Sequence, residues 1–150
     1  MHRARRAWCL AAVGALAACA APPLLGVHTP TPTGIDWWLV ELDGRPVALE
    51  RRPDGSEAPP LLRLDANSGR VSGSTGVNPF TGSFQQTGAT LRFGPQAAGR
   101  RAGPLQAMAF ESAYLKALQA TVAARGDADG LALLDAQARV LARFTSAPLR

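Results

Sequence analysis

From Ile35 onward the chain alternates between apolar and polar positions in short runs. Asp36-Trp37-Trp38-Leu39-Val40-Glu41-Leu42 reads as a strand. Trp38, Val40 and Leu42 share one side, which alternation assigns to the core, and Trp37 falls on the opposite side. Asp43-Gly44 follows as a two-residue hairpin turn, with a return strand over Arg45–Leu49. Glu50–Pro60 is a charged, proline-bearing loop. Leu61–Asp65, Arg70–Gly73, Phe80–Gln85 and Leu91–Phe93 read as further short strands. They are punctuated by turns at Asn67-Ser68-Gly69 and Thr87-Gly88. Connections this short suit antiparallel pairing and leave no room for parallel crossovers.

One segment has helical period. Met108, Glu111, Leu115, Leu118 and Val122 recur on one face, widened by Phe110, Tyr114 and Ala117. Pro104 suits the first turn of such a helix and Gly126 its end. Asp127–Gly130 then reads as a turn, followed by strands at Leu131–Leu134 and Val140–Phe144. Strands, one helix, then two strands predict an α+β fold: a curled, open-barrel-like antiparallel sheet with one covering helix.

The chain before Ile35 has a different character. Arg3, Arg5 and Arg6 precede an uncharged run, Trp8–Ala18, too short to span a bilayer. The run exits through Leu16-Ala17-Ala18-Cys19, which resembles the bacterial lipobox, where the cysteine thiol is diacylated and becomes the new N-terminus. Residues 1–18 are therefore expected to be a lipoprotein signal peptide and Cys19 the lipid attachment site. Two or more acyl chains hold a protein stably on a membrane that it does not span. Ala20–Gly34 carries four prolines and reads as an extended tether. Fully stretched, it reaches roughly 45 Å at about 3.1 Å per residue. The folded domain is then expected over residues 35–146. Ala20 in place of Asp favours the periplasmic face of an outer membrane.

Charge matters less than its raw value suggests. The chain is +5, but loss of residues 1–18 lowers Lys+Arg from 16 to 13 against 11 acids, about +2. The remaining arginines are scattered, so no nucleic-acid surface is expected. Both histidines, His2 and His28, precede the domain, which disfavours His-based triads and His-ligated zinc. Cys9 leaves with the signal. Asp127-x-Asp129-Gly130 lacks the further ligands of a calcium loop. No cofactor, metal site or catalytic residue is expected.

Two features read as structural rather than catalytic, with ligand contact at the first as the alternative. Gly73-Ser74-Thr75-Gly76-Val77-Asn78-Pro79 could pass for an anion-binding loop, but Pro79 offers no N–H and no Lys-Ser/Thr follows. It reads as a tight bend in which glycines reach positive φ and Asn78 bonds the backbone. Glu111 lies on the apolar stripe of the helix. A buried carboxyl group needs hydrogen-bond donors, and the bend at Gly73–Asn78 is expected to supply N–H groups, pinning loop to helix.

The stretch Gly69-Arg70-Val71-Ser72-Gly73-Ser74-Thr75-Gly76-Val77-Asn78-Pro79-Phe80-Thr81-Gly82-Ser83-Phe84 resembles the signature of the META domain, the HslJ-like family of bacterial envelope proteins. The opening hairpin from Trp38, the helix around Met108, Glu111 and Tyr114, and the last hairpin from Gly130 to Phe144 resemble the family's other parts in order. The resemblance implies an envelope lipoprotein linked to heat response and, in one branch, to novobiocin tolerance, with no established catalytic residue. It also implies two cysteines, near Val77 and Gly103, that are both absent here. If they form a cross-link elsewhere in the family, Val77 replaces it with apolar contact.

The resulting expectation is a non-enzymatic envelope lipoprotein, a binding module for stress tolerance. Its partners are the membrane through Cys19, the lipoprotein-processing enzymes, and an envelope protein or small ligand. Two alternatives remain open: a binder of a small hydrophobic ligand or antibiotic in the sheet's concavity, and a hydrolase-inhibitor module presenting Glu50–Pro60. Gly73, Ser74, Thr75, Gly76, Asn78, Gly82 and Glu111 form the candidate structural motif.

Overall fold

The computed structural model describes residues 31, 33–47, 59–126 and 129–147. The signal segment, Cys19, His28, most of the 50–60 loop and Asp127 lie outside them. The elements in chain order are β1 (Asp36–Leu42), β2 (Arg45–Pro46), β3 (Leu61–Asp65), β4 (Arg70–Ser74), β5 (Pro79–Thr87), β6 (Thr90–Phe93) and β7 (Ala97–Ala98). They continue with α1 (Leu105–Ala120), β8 (Ala123–Gly126), β9 (Gly130–Leu134) and β10 (Val140–Thr145).

Around the sheet the order is β1, β3, β4, β5, β6, β8, β9, β10, and β10 pairs back onto β1. The fold is thus α+β, a curled antiparallel sheet with one helix, and the curl runs on to a closed eight-stranded barrel. β2 pairs with β1 beyond the end of β3, and β7 pairs with β5 beyond β6. The thinnest seam joins β6 to β8 through one residue pair, Thr90 with Ala123. Amide bonds from Leu91 to Val122 O (3.2 Å) and from Ala124 to Ala89 O (2.9 Å) flank it.

The barrel interior is apolar and filled. Trp37, Leu39, Leu62, Leu64, Val71, Leu91 and Leu133 have no exposed surface. Arg63, Ser72, Thr81, Ser83, Gln85 and Arg92 alternate with them on the exposed outer wall. This is the reverse of a membrane barrel, whose outside is apolar. Among the described residues no helix is long and apolar enough to cross a membrane.

The structure corrects the side of β1 that faces inward. Trp37 and Leu39 point into the core, and Trp38 and Val40 are half-buried on the other side. The ladder to β10 slips between Leu39 and Glu41, leaving Val40 as a bulge. That extra residue returns Leu42 to the inner side, so simple alternation picked the wrong set. The hairpin turn is present: Asp43 and Gly44 both have positive φ, 49° and 73°, which a two-residue type I′ turn requires.

The helix also ends earlier than expected. It stops at Ala120; Thr121 takes an extended conformation and its hydroxyl donates to Ala117 O at 2.8 Å. Gly126 therefore does not cap the helix. It lies in β8, a strand that the sequence pattern does not predict, zipped onto β9 from Ala123–Leu134 to Gly126–Leu131.

The helix closes one mouth of the barrel. Tyr114, fully buried, makes ring contacts with Phe80 on β5 and Phe144 on β10, which stand on opposite walls. Its hydroxyl donates to Leu61 O at 3.2 Å, and burial pushes the phenol pKa up. One side chain thus reaches three strands from the mouth. At the β9–β10 turn, Asp135 accepts hydrogen bonds from the Gln137 and Arg139 amides and from Arg139 Nε. Burial alone would raise its pKa, but these bonds outweigh it and hold the carboxyl below the usual carboxylate range.

Gly73 is required here for space. A Cβ at this position would collide with the carbonyl oxygen of Leu61 and lie 2.7 Å from the Phe80 ring. Gly73→Ala is expected to lower stability by about 3 kcal/mol, as overpacking of a filled core does. Urea denaturation reads it as a lower midpoint at unchanged slope.

Candidate functional site

The turn between β4 and β5 runs Thr75-Gly76-Val77-Asn78 and is closed from within. The Thr75 amide donates to Asn78 O at 2.9 Å. The Asn78 and Val77 amides donate to Thr75 Oγ1 at 3.0 and 3.3 Å, and the Gly76 amide donates to Ser74 Oγ at 3.1 Å. Gly76 has φ 93°, a conformation that side chains resist. The expectation of positive φ therefore fits Gly76, whereas Gly73 serves close approach.

Because the turn consumes its own amides, the donors that reach Glu111 are side chains. Thr75 Oγ1 donates to Glu111 Oε2 at 2.6 Å, and Asn78 Nδ2 donates to the same oxygen at 3.0 Å. Asn78 uses its remaining capacity on one residue: Nδ2 also donates to Arg101 O at 3.1 Å, and Oδ1 accepts the Arg101 amide at 2.8 Å. Three segments are joined at one point: the β4–β5 turn, the approach to α1, and α1 itself.

Thr75 is 1% exposed, Asn78 0% and Glu111 7%. No buried side-chain polar atom among the described residues lacks a partner. The cluster is thus buried and hydrogen-bonded within itself. It is a fastening that holds α1 across the barrel mouth, and its chemistry is spent on internal hydrogen bonds.

Two further residues of the signature stretch, Ser72 and Gly82, stand outside this hydrogen-bonded knot. Ser72 faces outward on β4. Gly82 lies on β5, where a Cβ would sit 2.9 Å from Pro95 O. The main chain of Arg101 was not foreseen as a partner; a buried Asn beside a sealed turn was the available signal. Asp129 lies outside any group of three or more His, Cys, Asp or Glu among the described residues.

A groove of about 850 Å³ opens beside the knot. Its walls are the β1–β2 hairpin (Leu42, Pro46), the turn (Gly76, Val77) and the first turns of α1 (Ala107, Phe110). Leu105, at the start of α1, is 88% exposed.

A closed eight-strand antiparallel barrel capped by one helix, with a buried Thr75–Asn78–Glu111 cluster, defines the fold class. The chain belongs to the META domain family, whose model matches residues 31–148. Two solved structures share the fold. One is the NMR structure of a protein from Burkholderia xenovorans, at 24% identity and TM-score 0.59, covering 77% of this chain and 84% of that one. The other is the crystal structure of a DUF4847 family protein from Bacteroides vulgatus ATCC 8482, at 15% identity and TM-score 0.56, covering 77% and 94%. No curated protein matches the chain.

Two outcomes test this geometry. Glu111→Gln places an amide donor against the Thr75 hydroxyl or the Asn78 amide, which are donors themselves. A loss of about 1–3 kcal/mol in chemical denaturation is expected; an unchanged midpoint contradicts the fastening role. A Cβ at Gly103 would lie 3.2 Å from Val77 Cγ1, close enough for a sulfur bridge. Val77→Cys with Gly103→Cys should form a disulfide under mild oxidation and raise Tm. Free thiols on titration would show that the two positions do not meet.

Proposed function

We propose that this protein is a membrane-anchored envelope lipoprotein: residues 1–18 direct export, Cys19 carries the acyl chains, and the META domain acts as a non-enzymatic binding module in stress tolerance. The carrying observation is the order Arg3-x-Arg5-Arg6, an uncharged run, then Leu16-Ala17-Ala18-Cys19. Membership of the META family supports the domain half of this reading. The sealed Thr75–Asn78–Glu111 cluster supports a role that does not rest on reactive side chains. An envelope protein is the favoured partner, and Ala20 favours the periplasmic face of the outer membrane.

A second reading has one observation of its own. The barrel interior is filled by Trp37, Tyr114 and Phe80, so a small apolar ligand would not enter the sheet's concavity. The groove beside α1, with Val77 and Phe110 in its walls, has a volume within the range of roughly 300–1,000 Å³ typical of ligand pockets.

Labelling cells with a palmitate analogue tests the anchor. The wild-type chain should take up label and sediment with membranes, and Cys19→Ser should lose both. A wild-type chain without label among cytosolic proteins overturns the proposal. Crosslinking in live cells then separates the readings: a reproducible protein partner favours the first, and a co-purifying small molecule favours the second.

A further inference from the structure

The barrel has a second mouth, and the chain enters the fold there. β3 runs from Leu61, whose carbonyl takes the Tyr114 hydroxyl, to Asp65, so the Asp65 end is opposite α1. The turns at Asn67–Gly69 and Gly88–Ala89 cluster at that end. β10 finishes there too, where the Ser146 amide donates to Asp129 O at 3.1 Å.

Thr31 and Gly34, just before β1, are docked against this mouth. Thr31 is 4% exposed. The Gly34 amide donates to Leu64 O at 2.8 Å, continuing the β1–β3 pairing ahead of Asp36. Thr31 and Thr33 form one wall of a hollow of about 510 Å³, facing Ala66, Gly69 and Phe84. Composition places Thr31, Thr33 and Gly34 in the tether, yet a free linker has no cause to bury a threonine or to spend an amide on a strand. The family match beginning at residue 31 has the same limit.

We infer that Thr31, Thr33 and Gly34 are a strap on the barrel's second mouth, and that the anchor reaches the domain at this pole. The β1–β2 hairpin, the groove and α1 are then carried on the pole away from the membrane. The orientation rests on the lipidation proposed above; the strap rests on the burial of Thr31 and the Gly34 bond alone.

Two measurements test the two halves separately. In the full chain, the Gly34 amide should exchange with deuterium about 100-fold or more slowly than an unstructured amide, and Thr31→Lys should speed that exchange. Exchange of Gly34 at the unstructured rate overturns the strap. For the orientation, the acylated protein is placed in phosphatidylethanolamine–phosphatidylglycerol vesicles bearing a headgroup acceptor dye. A donor dye is attached at Asn67→Cys or, separately, at Gln106→Cys. The poles are about 20 Å apart, six strand residues at about 3.3 Å each, so about twofold more transfer is expected from position 67. Equal transfer, or more from position 106, overturns the orientation. An unacylated Cys19 by mass defeats the lipoprotein reading and the orientation together, while the strap still stands or falls on Gly34.

Discussion

The arrangement of this domain depends on one buried carboxyl group. A barrel closed by eight short strands has two open mouths, and its apolar filling needs a cover at each. α1 covers one, yet its grip through apolar contact is narrow: Tyr114, Ala117 and Leu118 are buried while much of its first two turns is not. Glu111 completes the grip. By accepting from Thr75 and Asn78 it ties the helix to the β4–β5 turn, and through Asn78 to the backbone at Arg101. Fixing both the helix and the segment leading into it removes the freedom of α1 to slide across the mouth.

The same economy accounts for the residue types in the most distinctive stretch of sequence. Glycine, serine, threonine and asparagine in close succession look like ligand-binding material. Here each is consumed locally: Gly73 lets Leu61 and Phe80 approach, Gly76 supplies positive φ, and Thr75 both accepts turn amides and donates to Glu111. A motif of this kind specifies a geometry. Beside the knot, the groove and the exposed start of α1 bring apolar side chains to the surface.

Much of this was legible in the chain, and the exceptions have physical causes. Asp43-Gly44 announced its turn because few other pairs accept two positive φ values in succession. Glu111 was conspicuous because an acid on an apolar helical stripe must find donors. The inward face of β1 was misread because a bulge at Val40 changes the count, and nothing in Trp37–Leu42 marks a bulge in advance. β8, Ala-Ala-Arg-Gly, has no alternation of its own and becomes a strand because β9 offers it a ladder. Glu111 does take an N–H from the bend, but from the Asn78 side chain and with the Thr75 hydroxyl beside it, because the turn uses its backbone amides itself. Thr31 and Gly34 read as tether because Thr and Pro carry no period; the burial of Thr31 and the Gly34 hydrogen bond appear only in the fold.

The fastening of α1 is tested most directly by a double-mutant cycle on Thr75→Val and Glu111→Gln, with unfolding free energy measured for the wild type, both single variants and the double variant. If the hydroxyl and the carboxyl act as one unit, the two losses fall short of additivity by about 1 kcal/mol or more. Losses that simply add would mean that Thr75 and Glu111 stabilise the domain independently, and the knot would not be what holds the helix across the barrel.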